Sequence, residues 1–108
     1  MNIAFYHSVQ GNSPVEKYLE SLDDHEAAPL YAALTDISLH GLEGASVQLR
    51  TIKGKLWELK VHQHRLFYVL ISGPRMVLLH ACKKQGQKAR QEDLKLALAR
   101  MEKVLGAQ

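Results

Sequence analysis

Residues 55–83 read KLWELKVHQHRLFYVLISGPRMVLLHACK. Within this stretch the apolar residues recur with a period near two. KLWELKV (55–61), RLFYVLI (65–71) and RMVLLHACK (75–83) are rich in aromatic and branched side chains, the composition of β-strands. Ser72-Gly73-Pro74 supplies a turn between the last two, which are expected to pair as an antiparallel hairpin. The short His62–His64 link predicts the same for the first two. Apolar residues occupy both faces of these strands, so a central sheet is expected, covered by helices on one side and in part on the other.

Upstream, NIAFY (2–6) is a short β-prone run, and Gly11-Asn12-Ser13-Pro14 is a break. Ser13 with Glu16 forms a capping box, with Pro14 at the first helical position. Val15, Tyr18, Leu19 and Leu22 then repeat at helical spacing until Asp23-Asp24 ends or restarts the helix. A second helix fits residues 26–40, with Leu30, Ala33, Leu34 and Ile37 inward and Gly41 as its C-terminal cap. The acids Glu16, Glu20, Asp23, Asp24, Glu26 and Asp36 fall off these stripes and read as solvated. A loop of small residues, GLEGAS, follows. Downstream, a helix from Gln91 aligns Leu94, Ala97, Leu98, Met101 and Leu105, and Gly106 closes it. The expected order is β-α-α-β-β-β-α, a single α+β domain over 1–108 with helices packed on one face of an antiparallel β-meander.

The 108 residues suffice for one modest core, and 46% hydrophobic with 23% charged residues is ordinary for a globular protein. One cysteine excludes an internal disulfide. MNIAFYHSV lacks the basic and apolar regions of a signal peptide, and no apolar run approaches the roughly 18 residues that span a bilayer. A cytoplasmic location without membrane attachment is expected. Charge is unevenly spread. Residues 1–49 hold one lysine against seven acids, whereas residues 50–108 hold thirteen cations against four acids. Either a basic surface meets a polyanion, or the two halves neutralise each other in the fold.

In an antiparallel meander the end of one strand lies beside the start of the next. Lys60 and Arg65 are therefore neighbours, and Lys83 and Lys84 at the end of the third strand are expected to join them. Lys53, Lys55, Lys88 and Arg90 are possible outer contributors. Like charges brought together repel, so this cluster predicts an anionic ligand. Arg65 has a second reading, a pair with Glu58 across the strands. His62-x-His64 and His80-x-Cys82 each place two possible ligands on one strand face, but lack a second set, so no metal is expected. Cys82, Trp57 and Phe67 read first as core residues.

KGKLWELK, HRLFYVL, VLLHACKKQGQK and the alanine-rich last helix, in this order, resemble the RelE/ParE superfamily of toxin–antitoxin toxins, most closely its HigB-like, phage-derived branch. Leu56-Trp57-Glu58-Leu59-Lys60 matches that family's first element, His64-Arg65-Leu66-Phe67-Tyr68 its second, and Val77 to Lys84 its third. The resemblance implies a RelE-like fold and an endoribonuclease (an mRNA interferase) that cleaves messenger RNA in the ribosomal A site. It also implies inhibition by a cognate antitoxin carrying a helix-turn-helix DNA-binding domain. Chemistry of this family proceeds by attack of the 2′-OH on the adjacent phosphorus, without metal or other cofactor.

Such a reaction needs a proton acceptor, cations for the phosphorane and a proton donor for the 5′-oxygen. The matched positions nominate Lys60, Arg65, Lys83 and Lys84 as catalytic residues, with Arg65 gripping phosphate and Lys60 or Lys84 as base. Lys53, Lys55, His62, His64, Tyr68, Lys88 and Arg90 are nominated for RNA binding, with His62, His64, His80 or Tyr68 available as acid or stacking surface. The chain departs from RelE-type nucleases in having no tyrosine or histidine after the last strand, and it carries Glu58 where RelE has lysine. A ParE-like gyrase inhibitor and a non-catalytic RNA- or ribosome-binding module are the alternatives.

Overall fold

The computed structural model describes residues 1–84 and 90–107. Eight elements follow one another: β1 (Asn2–Phe5), α1 (Pro14–Ser21), α2 (Asp24–Gly44), β2 (Gln48–Lys53), β3 (Leu56–Val61), β4 (His64–Ile71), β5 (Arg75–Lys83) and α3 (Gln91–Gly106). The fold is mixed α+β, with three helices and a five-stranded mixed sheet of order β1-β5-β4-β3-β2. β2 to β5 form the expected antiparallel meander, whereas β1 pairs with β5 in parallel.

The local signals act as read. Ser13 Oγ accepts the Glu16 N–H at 3.3 Å, and Pro14 opens α1, where its missing N–H costs nothing. Asp23 caps α2 in the same way, accepting the Glu26 N–H at 2.7 Å. Gly41, at φ 76°, interrupts α2 as expected, although helical residues resume as far as Gly44.

Two features differ from the expectation. An additional strand, β2, precedes the three that were read, so the order is β-α-α-β-β-β-β-α. It lies at the sheet edge and buries little, with Leu49 and Ile52 as its apolar residues, so no period-two pattern marks it. Arg50 and Lys53 on this edge discourage pairing with another chain. The helices also do not share one face. α1 and α2 cover Leu59, Leu66, Tyr68, Met76 and Leu78, whereas Ala97 and Met101 of α3 cover Leu56, Phe67, Val69 and Leu79 on the opposite side. Strands apolar on both faces require both to be covered.

One irregularity in β5 positions everything that follows. Tyr68 pairs with Leu78 and Phe67 with His80, so Leu79 is an extra residue, a β-bulge. Leu78 and Ala81 face α1 and α2, while Leu79 and Cys82 face α3. The bulge thus transfers the even-numbered positions beyond it from the α1/α2 side to the α3 side.

Candidate functional site

Rows of side chains across the sheet follow from its register. Gln48 on β2 stands opposite Lys60 on β3, Lys60 opposite Arg65 on β4, and Arg65 opposite Cys82 on β5. The next row is Arg50, Glu58, Phe67 and His80. Arg65 and Glu58 are both buried, and a buried charge needs a partner. Arg65 Nη1 donates to Glu58 Oε2 at 3.2 Å, and the half-exposed Arg50 approaches Glu58 Oε1 with its Nη2 at 3.3 Å. The alternative reading of Arg65, a cross-strand pair with Glu58, is therefore realised.

Above this floor lies an open cavity of about 270 Å³, lined by Gln48, Leu49, Arg50, Glu58, Lys60, Arg65 and Lys84. Two arginines and two lysines surround one carboxylate. The Lys84 ammonium is held below the usual lysine range by its hydrogen bond with Lys60 and by repulsion from the Lys60 charge, with Arg65 adding to the effect. Two ammonium groups this close repel each other, which lowers the cost of removing the proton from Lys84. A larger hollow of about 630 Å³ lies between α2 and the β2–β3 edge, and its lining includes one lysine, Lys60, and one acid, Asp36. Charge therefore favours the smaller cavity as the anion site.

Of the four cations expected to converge, Lys60, Arg65 and Lys84 do so. Lys83 points to the other face, where its Nζ stands 3.1 Å from Glu26 Oε1, because the bulge gives it the parity of Ala81. His64 is on that face too and is buried. Its Nε2 approaches Glu26 Oε1 at 3.2 Å, and its Nδ1 accepts the Tyr18 O–H at 2.5 Å. Burial pushes the Tyr18 hydroxyl up to about 12, so it serves as donor. Burial also holds His64 below the ordinary histidine value despite the Glu26 charge. Glu26, read as solvated, is thus the acceptor of a half-buried network.

The remaining nominated residues are scattered. Tyr68 is buried in the core, stacked on Trp57 with ring centroids 6.5 Å apart, and burial pushes its hydroxyl up to about 12. Lys53 and Lys55 are at the opposite end of the β2–β3 hairpin from Lys60. His62 is exposed in the β3–β4 turn at φ 53°, on the far side from the cation cavity. Arg90 stands at the N-cap position of α3 without a side-chain cap hydrogen bond and pairs at 3.5 Å with the exposed Glu92. Lys88 lies outside the described residues.

Three contributors escaped the sequence reading. Gln48 and Arg50 belong to the edge strand that lacks a pattern. Asp93, in the first turn of α3, meets His80 Nε2 at 2.7 Å, a contact between residues 13 apart that no spacing rule announces. Among the described residues, His80, Cys82 and Asp93 form the group whose donor atoms are close enough to hold a metal ion. No helix among the described residues is long and apolar enough to cross a membrane.

A family model described as Phage derived protein Gp49-like (DUF891) matches residues 17–102. That span covers α1 from its first turn, the whole sheet except β1, and most of α3. No curated protein matches the chain in sequence.

Proposed function

The chain belongs to the Gp49-like family of phage derived proteins, a toxin-like family of toxin–antitoxin systems, and from this we propose that it is an endoribonuclease acting on messenger RNA. The observation that carries the reading is the Lys60–Lys84 pair at the mouth of a cavity floored by Arg65, Glu58 and Arg50. A phosphodiester entering there meets two ammonium groups above an arginine-rich floor. Arg65 serves chiefly to position, since its guanidinium is engaged with Glu58.

The lysine pair contains both proton carriers that the cleavage needs. The neutral amine of the pair accepts the proton of the 2′-OH as the oxygen attacks phosphorus. The charged partner and Arg50 stabilise the phosphorane. That partner then gives its proton to the departing 5′-oxygen as the P–O5′ bond breaks, leaving a 2′,3′-cyclic phosphate and a 5′-hydroxyl. The pair ends with its proton exchanged and resets through solvent. Among the described residues no histidine or tyrosine lines the cavity, so the lysines carry this role without an aromatic partner.

The ribosome, presenting messenger in its A site, and an antitoxin that covers the basic cavity belong to the same proposal, as does action in the cytoplasm. The test is to add the purified chain to reconstituted translation and map new 3′ ends on the messenger, with a ribosome-free control. Ribosome-dependent cuts that vanish in Lys84→Ala support the reading in full, and cuts on naked RNA retain the nuclease without the ribosome. Messenger that is bound but intact at high protein excess leaves a binding module. Messenger neither bound nor cut makes gyrase supercoiling the next assay.

A further inference from the structure

His80, Cys82 and Asp93 take no part in the reaction proposed above, yet their donor atoms all lie within 4.8 Å of one another on the α3 side of β5. The bulge at Leu79 turns His80 and Cys82 toward α3, and the first turn of α3 delivers Asp93 between them. All three are half-buried or more. The Asp93 carboxylate meets His80 Nε2 at 2.7 Å and is hydrogen-bonded by the Cys82 thiol. One carboxylate thus gathers two replaceable hydrogens, one on nitrogen and one on sulfur.

Imidazole, thiolate and carboxylate together are the donor set of a borderline-soft cation, and three protein ligands leave a fourth tetrahedral position for water. We propose that His80 Nε2, Cys82 Sγ and a carboxylate oxygen of Asp93 form a binding site for a thiophilic divalent cation of the zinc class. On binding, the thiol proton is released to solvent and the imidazole proton moves from Nε2 to Nδ1. The carboxylate and imidazole separate to roughly 3.3 Å, the tetrahedral edge for ligands about 2.0 Å from the ion.

Arg100 acts against loading. Its Nη1 donates to Leu79 O at 3.1 Å and stands 2.9 Å from His80 Nδ1, which holds the imidazole in the Nε2–H form. The ion therefore competes with Arg100 for the imidazole. Because Cys82 stands opposite Arg65 and two residues before Lys84, a bound ion ties the strand end that carries Lys84 to α3. The site does not depend on the nuclease reading.

The test is a cobalt(II) titration of the purified full chain under reducing conditions, followed by zinc(II) competition. Cys82 is the single cysteine of the chain, so a thiolate-to-cobalt charge-transfer band in the near ultraviolet reports on it alone. The band is expected to saturate at one cobalt per chain, to be bleached by zinc and to disappear in Cys82→Ser. Asp93→Asn is expected to weaken cobalt binding by at least about ten-fold. Arg100→Met is expected to tighten it, the opposite of what loss of a purely structural contact does. A wild-type chain that remains folded by circular dichroism and develops no band in excess cobalt overturns the proposal. So does saturation at half an equivalent, the mark of two chains sharing an ion. A folded Arg100→Met chain that binds cobalt no tighter also overturns it.

Discussion

Arg65 Nη1 stands 3.2 Å from Glu58 Oε2 with both side chains only 3% exposed, so each residue removes the cost of burying the other. Removing Glu58 takes from the buried Arg65 the carboxylate it pairs with, whereas removing Arg65 leaves Glu58 with the half-exposed Arg50. Glu58→Gln is expected to lower stability by about 3–5 kcal/mol in urea denaturation, and Arg65→Met by less, because Arg50 still pairs with Glu58. The double variant Glu58→Leu/Arg65→Met should recover most of that loss. A double variant as unstable as the sum of the singles would show that the two residues are not coupled.

Lys60 and Lys84 share the cavity, whereas Lys83 is on the other face with Glu26. If the proposed cleavage is correct, Lys60→Ala and Lys84→Ala should each slow it by at least about a hundred-fold in the translation assay. Lys83→Ala should leave it near the wild-type rate. Tyr68→Phe should not alter RNA affinity, because that ring is buried in the core. Equal losses at Lys83 and Lys84 would refute this division between the faces.

His64 gives the fold a defined acid sensitivity. Its folded-state value is below 6.5 because burial disfavours the imidazolium, so the unfolded chain binds the proton more readily. This contribution is fully present above 6.5 and is lost as pH falls toward the folded value. Stability measured from about pH 7 to about pH 5 should therefore decline, and His64→Gln should make the decline shallower. At neutral pH, Tyr18→Phe should cost about 1–3 kcal/mol, since it strips the donor from a buried Nδ1. An unchanged pH slope in His64→Gln would remove His64 as the cause.

His62 adopts φ 53° in the β3–β4 turn, a backbone conformation that strains a side chain bearing Cβ. His62→Gly should raise thermal stability, with a gain of about 1 kcal/mol read by calorimetry. At Gly41, which takes φ 76° inside α2, the same logic gives the opposite sign, and Gly41→Ala should cost about 1–2 kcal/mol. No contact obstructs a Cβ there, so the loss would come from the backbone alone.

Much of this protein was legible as sequence because the relevant physics is local. The Ser13–Pro14 cap, the α3 stripe, three of the four meander strands and the Gly41 break each depend on residues within a turn or two of one another. The neighbourhood of Lys60 and Arg65 followed from hairpin connectivity alone. Strand β2 escaped because an edge strand buries little and therefore carries no apolar alternation. Asp93 escaped because a helix–strand contact leaves no periodic trace.

The tertiary structure decided which side of the sheet each cation serves. Lys83 and Lys84 are adjacent and chemically alike, and the single extra residue at Leu79 sends one toward Glu26 and the other toward Lys60. A strand alternates its side chains with period two, so one inserted residue exchanges the faces of all that follow. Whether a strand bulges depends on the register of both its neighbours and the cores on its two sides. That balance exists only in the assembled sheet.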